Sequence, residues 1–152
     1  MLTDLLRQTA VFADLDATQL ARVADICTQQ TYKSGTTIFK EGEPGNRLFI
    51  VVSGAVRISR HIPNAGEEAL AVLKPGTCFG EMAVLDRSER STDAIAEGDC
   101  TLASLNRPDF EMLLEFDKEL AYVVLRSVVR LLSGRLRATN DNLRTFLAMS
   151  MF

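Results

Sequence analysis

The sequence has few of the residues that build disulfide frameworks, metal sites or catalytic centres. Its 152 residues include three cysteines, and these stand far apart at Cys27, Cys78 and Cys100. That number and spacing exclude a disulfide framework and a zinc site, and an odd number fits a reducing compartment. The one histidine, His61, falls on a predicted strand, where we expect it at the surface. We find no nucleophile–base pair, and we therefore expect no catalytic residue, no metal, no cofactor and no enzyme activity.

The features that mark membrane spans, secretion and nucleic-acid binding are also lacking. No uncharged apolar run approaches the roughly 20 residues that a membrane span needs. Residues 1–7 have an early acid, Asp4, and no basic-then-apolar pattern, so they do not resemble a signal peptide. The 17 basic and 20 acidic residues give a net charge of −3, which carries no bias toward nucleic acid. We predict a cytoplasmic protein without a membrane span.

What the chain does contain is a change of periodicity from helix to strand and back to helix within one predicted domain. The domain covers residues 1–152, with an N-terminal helical part at 1–29, a β-barrel at 30–106 and C-terminal helices at 107–152. In the first part, Asp16 and Gln19 have the spacing of a capping box. Apolar residues then follow at helical spacing, which predicts a helix over residues 16–29.

The middle zone has short apolar and β-branched runs separated by turn residues. The predicted strands are 36–39, 48–52, 55–59, 69–73, 93–96 and 101–105. The predicted turns are 33–35, 41–46, 53–54, 64–66, 74–76 and 97–99. Short strands with a turn about every 10 residues are typical of antiparallel barrels and jelly rolls. We therefore predict a mainly β fold, an antiparallel β jelly-roll barrel, with flanking helices.

The last zone predicts two helices, and the second is unusually long. Asn106 and Pro108 mark the start of the first helix. From Asp117 to Leu147 there is no proline and only one glycine, Gly134, so this helix is about 45 Å long.

A heptad seam follows that long helix. It consists of apolar residues and one threonine at alternating spacings of three and four: Tyr122, Leu125, Val129, Leu132, Leu136, Thr139, Leu143 and Phe146. Such a seam packs against a second copy in many proteins, although an amphipathic stripe can also simply cover the barrel. We predict that the first half of the helix docks on the barrel. The second half then meets a partner, in a homodimer formed through the C-terminal helix.

One compact segment has the groups that recognise a sugar and a phosphate. It begins with Phe79, Gly80, Glu81, Met82 and Ala83 and ends with Arg90, Ser91 and Thr92. Arginine presents forked donors that match a phosphodiester monoanion, and serine adds a hydroxyl donor. Gly80 lets the backbone approach a ligand, and a helix starting near it presents free N–H groups. Glu81 can accept a hydrogen bond from a ribose hydroxyl.

Simpler explanations exist for the same residues. Glu81 and Arg90 could form a surface ion pair, which contributes about 0–1 kcal/mol. Gly80 could be an ordinary turn glycine, and Phe79 is expected in the core in either case.

The ordered set of motifs resembles the cyclic nucleotide-binding domain family, which includes catabolite activators, kinase regulatory subunits and cyclic-nucleotide-gated channels. The resemblance covers about residues 11–147. Its motifs are Val11–Leu15, Gly35 with Ile38-Phe39, Glu41-Gly42, Gly45–Val51, Ser53-Gly54 with Val56, Leu73 with Pro75-Gly76, Phe79–Ala83, and Arg90-Ser91.

The resemblance implies a jelly roll that binds cAMP or cGMP as a ligand, with Glu81 on the ribose and Arg90 on the phosphate. Ser91 favours cAMP, because cGMP-preferring relatives often have threonine after the arginine. Thr139 and Asn140 correspond to the base-binding pair on the long helix of transcription regulators. Thr139 could equally be a polar seam residue that sets the register of a dimer. Thr92 and Asp93 depart from the small or apolar residues of the family, and an inward Asp93 would weaken an anion site.

Three functions are consistent with these features. The first is a stand-alone cyclic-nucleotide receptor that acts through a dimer partner or a separate effector protein. The second is an interaction scaffold that does not respond to cyclic nucleotides. The third is a fragment of a larger kinase, channel or transcription factor. Because no helix-turn-helix segment follows the long helix, we expect no direct DNA binding.

Overall fold

The computed structural model describes residues 2–151, which form one sheet of six strands flanked by five helices. In chain order these are α1 (Leu2–Gln8), α2 (Ala17–Asp25), β1 (Thr28–Tyr32), β2 (Thr37–Phe39), β3 (Arg47–Ile62), β4 (Gly66–Leu73), β5 (Cys78–Phe79), α3 (Glu81–Asp86), β6 (Asp93–Asn106), α4 (Arg107–Phe116) and α5 (Lys118–Ser150). The predicted order of helix, strand and helix zones is confirmed.

All strand pairs are antiparallel, and the sheet has the jelly-roll character that we predicted. Its main order is β1-β6-β3-β4, with β2 paired to β6 and β5 paired to β3. The sheet is not closed, because β1 and β4 remain as edges within the described residues. The prediction of a barrel therefore holds only loosely.

Two of the predicted turns are wrong, because they lie inside long strands. Ser53-Gly54 falls within β3, and Glu97–Asp99 falls within β6. The register between these strands shifts around Ser53, so the pair bends without ending. Gly54 has a positive φ of 77°, and a Cβ there would lie only 2.8 Å from the Cα of Cys100. The glycine therefore permits a close approach of two backbones.

The N-terminal helix prediction was correct at its start and wrong at its end. Asp16 and Gln19 form the predicted capping box at the start of α2. The helix stops at Asp25, and Thr28 already pairs with Ser104 in the sheet. Since β1 is polar and exposed along most of its length, no apolar alternation marks it as a strand.

The core has two parts, one under the helices and one inside the sheet. The first packs α1, α2, α4 and α5 around Phe12, Leu20, Phe110 and Leu120. The second surrounds three aromatic rings, Phe39, Phe49 and Phe79, whose centroids lie 5.2–6.0 Å apart.

The C-terminal helices start where the sequence predicts. The side chain of Asn106 caps α4, and Asp117 caps α5 by accepting from the N–H of Leu120. Helix α5 has 33 residues, and is therefore about 50 Å long. Within residues 2–151 no helix combines the length and apolar character of a membrane span.

The first half of α5 docks on the domain mainly through residues beside the seam, and Leu132 is the seam residue that packs partly against the core. The buried residues are Leu120, Ala121, Val124, Ser127 and Val128. Most of the seam residues instead face solvent along the whole helix: Tyr122, Leu125, Val129, Leu136, Thr139, Leu143 and Phe146. From Gly134 to the last described residue, Met151, every side chain is exposed. The helix therefore presents an apolar stripe to solvent on both sides of the partly buried Leu132.

Candidate functional site

Strand β5 and helix α3 form the segment that the sequence singles out, and Gly80 joins them. Phe79 pairs with Phe49 in the sheet, and their rings stack with centroids 5.2 Å apart. Phe79 thus has the core role that we expected. Gly80 is left-handed, with φ 76° and ψ 9°, and precedes the first residue of α3. A side chain at this position would collide with the guanidinium of Arg90, so Gly80 is more than a turn residue.

Arg90 is a buried cation whose guanidinium is bound by backbone carbonyl groups. Only 6% of the residue is exposed. Its guanidinium donates to the carbonyl oxygens of Gly80, at 3.1 Å, and Arg47, at 2.7 Å. It also lies 4.2 Å from the centroid of the Phe39 ring. Among the residues that the structure describes, no carboxylate forms a salt bridge with it.

The pKa of the Arg90 guanidinium reflects this environment. Burial lowers the pKa of its guanidinium, which is the largest effect. The negative charge of Glu43 acts in the opposite direction, and the positive charge of Arg107 lowers the pKa further. A buried positive charge bound mainly by neutral carbonyls is incompletely compensated. Such a charge is suited to receive an anion.

Glu81 is also buried, but its partner is on the long helix. The residue is 3% exposed, and its Oε1 accepts from Nη1 of Arg135 at 2.9 Å. The side chain of Arg135 is half exposed. The simple surface pair between Glu81 and Arg90 is therefore not what the structure contains. Each residue is buried, and each has different partners.

The other predicted site residues have varied positions. Ala83 is buried against the loop at Gly45, whereas Met82 is exposed on the outer side of α3. Ser91 is exposed and Thr92 is half-buried. These four residues are near Arg90 in sequence, but only Ala83 packs into the segment's interior.

Thr139 and Asn140 are exposed on α5, one turn beyond Arg135. The hydroxyl of Thr139 donates to the carbonyl of Arg135 at 2.9 Å, within its own helix. Within one chain the structure brings Arg135, and not Thr139, into hydrogen-bond contact with Glu81. A role for Thr139 and Asn140 at the base stays a prediction.

The carboxylate of Asp93 has a hydrogen-bond partner in the backbone. Its Oδ1 accepts from the backbone N–H of Glu41 at 2.8 Å. The carboxylate thus supports the loop before Arg47, and the concern that it weakens an anion site has no support in this geometry.

Cys78 adjoins the site and lines a cavity of about 360 Å³ together with Thr77, Leu131 and Arg135. Burial raises the pKa of its thiol well above the usual range. The thiol therefore stays protonated and unreactive. Its side chain packs against the core under the helices.

Sequence reasoning missed the functional partners that come from distant segments. The hydrogen bond between Arg135 and Glu81 joins residues 54 positions apart. Arg47 and Arg107, which surround Arg90, were also given no role. Arg135 lies one helical turn before Thr139, and this closeness to a predicted base-binding residue is the signal that the sequence offers.

The fold and the site together are suited to binding a small ligand. Beside the jelly-roll sheet lie one buried arginine, whose charge could pair with an anion, and one buried glutamate, whose carboxylate could accept from a polar donor. Within residues 2–151 no group of histidine, cysteine and acidic side chains has the arrangement to hold a metal ion.

Comparison with known proteins identifies the family. Residues 29–117 match the family described as the cyclic nucleotide-binding domain. The match covers more than half of the chain, and the protein therefore belongs to this family. The resemblance inferred from the motifs is confirmed.

Two similar proteins show the range of contexts in which the domain occurs. A CRP-like cAMP-activated global transcriptional regulator of Mycobacterium tuberculosis is 30% identical over 140 residues, 92% of this chain and 61% of the regulator. Glutaminase 1 of Bradyrhizobium diazoefficiens is 35% identical over 91% of this chain, but only 22% of the glutaminase is covered. The chain thus spans less than two thirds of each curated relative.

A solved structure has nearly the same extent as this chain. The N-terminal domain of a transcriptional regulator from Streptomyces coelicolor has a TM-score of 0.80 and 36% sequence identity. The alignment covers 92% of this chain and 95% of that one. Since transcriptional regulators are among the relatives, the comparisons do not support our expectation that the protein lacks direct DNA binding.

Proposed function

We propose that this domain senses a cyclic nucleotide, cAMP in preference to cGMP, and relays its binding through α5. The observation that carries the proposal is the state of Arg90. It is buried, it is oriented by two carbonyls, and no carboxylate of the described residues pairs with it. A cyclic phosphodiester brings one negative charge, which matches this requirement.

Glu81 supplies the second contact of the proposed site. A ribose 2′-hydroxyl can donate to this carboxylate, which at present accepts from Arg135. The ligand therefore enters a hydrogen-bond network that already includes the long helix. Binding shifts the position of α5 only to the extent that the ligand prefers one arrangement of this network.

The preference for cAMP is supported by Ser91 and by one relative. Serine stands immediately after Arg90, where threonine accompanies cGMP preference in the family. The M. tuberculosis regulator is described as cAMP-activated and aligns with 92% of this chain.

The relay acts through a second copy of the chain or through a separate effector. The exposed seam on α5 supports the dimer, since an apolar stripe of this length is stable in water only when covered. The partial coverage of the curated relatives also allows the domain to act within a longer regulator. An unresponsive scaffold is the alternative, although it gives no reason for an uncompensated charge at Arg90.

Isothermal titration calorimetry with cAMP and cGMP tests the proposal. We expect the wild-type protein to bind cAMP more tightly than cGMP. Arg90→Ala should weaken cAMP binding at least about a hundredfold, because a charge-assisted bidentate contact is lost.

Arg60→Ala is the matched control, since Arg60 is an exposed arginine that pairs with Glu41. It should bind cAMP like the wild type. Absence of cAMP binding by the wild type, or equal binding by Arg90→Ala, would contradict the proposal.

A further inference from the structure

Arg107 lies where the segment from Phe79 to Arg90 meets the C-terminal helices. As the first residue of α4, it donates its backbone N–H to the carbonyl of Asn46 at 2.8 Å. Its Nη2 donates to the carbonyl of Ala83 in α3 at 2.9 Å, and to the carbonyl of Gly45. One guanidinium nitrogen therefore joins the loop at residues 44–46 to helix α3.

The contact that Arg107 joins is tight. A Cβ at Gly45 would lie within 3.0 Å of the Ala83 Cβ and 3.2 Å from the Cζ of Arg90. The loop and α3 are therefore in van der Waals contact beside the Arg90 guanidinium. A small separation of the loop from α3 would change the space that this guanidinium occupies.

Residues 42 and 43, just before this loop, bind the backbone of Arg90, and Gly80, just before α3, binds its guanidinium. The Arg90 N–H donates to the carbonyl of Glu43 at 2.8 Å, and the Arg90 carbonyl accepts from Gly42 at 2.9 Å. At the other end, the guanidinium donates to the carbonyl of Gly80, immediately before α3. The orientation of Arg90 thus depends on the relative position of the loop and α3.

Stability alone does not account for an arginine at this position. The Nε of Arg107 is buried and has no hydrogen-bond partner within the described part of the chain. Its positive charge also opposes that of Arg90. Both effects are unfavourable in the ligand-free protein, whereas a bound anion would reduce the repulsion between the two cations.

We propose that Arg107 is a positioning residue for the phosphate contact, holding the 44–46 loop against α3 so that Arg90 keeps its orientation. The inference rests on the proposed cyclic-nucleotide function. Arg107 itself is not assigned to the ligand contact.

Calorimetry on variants tests the effect on affinity. Arg107→Lys retains the charge but loses the forked donors, and we expect cAMP affinity to fall about tenfold, as for one lost charge-assisted hydrogen bond. Arg130→Lys, in an exposed pair with Asp14, should bind like the wild type. In an Arg90→Ala background, Arg107→Lys should cause no further loss, because Arg107 acts through Arg90.

A second measurement uses the ligand-free protein, so it distinguishes failure of this inference from failure of the proposed function. The Arg90 Nε–Hε signal in a nitrogen-15 NMR spectrum depends on its orientation over the Phe39 ring. We expect Arg107→Lys to shift that signal and Arg130→Lys to leave it in place, whether or not the wild type binds cAMP.

An unshifted Arg90 signal would overturn the inference, as would additive losses of affinity in the double variant. Arg107→Gln provides a second variant if the lysine protein is unstable. If both variants are already unfolded at room temperature, Arg107 has a purely structural role. That outcome would also overturn the inference.

Discussion

Arg90 and Glu81 differ in how the protein stabilises their buried charges. Glu81 has an arginine partner at 2.9 Å, whereas Arg90 has two carbonyls and an aromatic face. The less compensated of the two charges is therefore that of Arg90. Helix α3 has only six residues, so its dipole is small and contributes less than the guanidinium.

Glycine serves two purposes in this chain: it adopts a positive φ, and it allows two backbones to approach closely. Substitutions at Gly54 and Gly98 can separate the two effects. Gly54 and Gly98 both have positive φ, 77° and 71°. A Cβ at Gly54 would meet the backbone of residues 99 and 100, whereas a Cβ at Gly98 would meet no atom within 4 Å. An alanine would therefore be strained in its backbone at either position, but only at Gly54 would its methyl group collide with neighbouring atoms.

We predict that Gly98→Ala lowers the free energy of unfolding by about 1 kcal/mol, the strain of a left-handed alanine. Gly54→Ala should lower it by a further ~1–3 kcal/mol, because a methyl group is forced against backbone. Denaturant unfolding measures both values. Equal losses in the two variants would show that β3 and β6 are not in close contact at Gly54.

At the scale of elements, α5 separates its docking surface from its exposed seam. Val124 and Val128 are buried against the domain, while Leu125 and Val129, one position further along, are exposed. The apolar face of the helix is wider than the seam. The row beside the seam makes most of the contact with the domain, and the seam residue Leu132 is partly buried there as well.

The exposed seam predicts a specific effect on assembly. Leu136→Asp places a charge at a seam residue that is 61% exposed in the single chain. We expect it to raise the dimer dissociation constant at least about a hundredfold, since an apolar contact is replaced by a desolvated charge. Sedimentation equilibrium measures the change, and the melting temperature at a low protein concentration should stay the same.

Ala138→Asp is the control for this substitution, because Ala138 is exposed two positions after the seam residue. It adds the same charge to the same helix and should leave the dissociation constant unchanged. A wild-type protein that is monomeric at high concentration, with and without cAMP, would contradict the dimer.

For the whole molecule, the Glu81–Arg135 pair connects the ligand segment with α5. It is the hydrogen bond through which the C-terminal half of α5 contacts the domain within the described residues. Beyond it, the helix extends with exposed side chains. A ligand that competes for Glu81 therefore acts at the point where the helix leaves the domain.

We predict that cAMP changes hydrogen exchange along residues 128–140 in the wild type and changes it much less in Arg135→Gln. The reason is that the variant has no ion pair for the ligand to rearrange. Hydrogen-exchange mass spectrometry at saturating cAMP measures the difference. Arg137→Gln, which alters an exposed arginine two positions away, should respond like the wild type.

An equal response in the Arg135→Gln and wild-type proteins would mean that the pair does not transmit binding. In that case binding would have to reach the C-terminal helices through α4, which contacts the segment from Phe79 to Arg90 through Arg107 and through the ion pair of Arg87 with Glu111.

Local patterns were sufficient for much of the fold and for the centre of the site. The capping residues Asp16 and Asn106 satisfy free N–H groups a few positions away, so their roles can be read from neighbouring residues. The segment from Phe79 to Arg90 is also short, and its order of residues indicated both the helix start and the charge. By itself, the sequence determined the mainly β fold, the family and the two charged residues.

Only the tertiary structure decided how those residues are used. Glu81 is bound by Arg135, and Arg90 by the carbonyl of Arg47. The predicted turn at Ser53-Gly54 lies instead inside β3, because β3 pairs with β6 on both sides of it. These features depend on contacts between segments far apart in the chain. Local periodicity and turn chemistry carry no information about which distant groups meet, because that is set by the packing of the whole sheet against its helices.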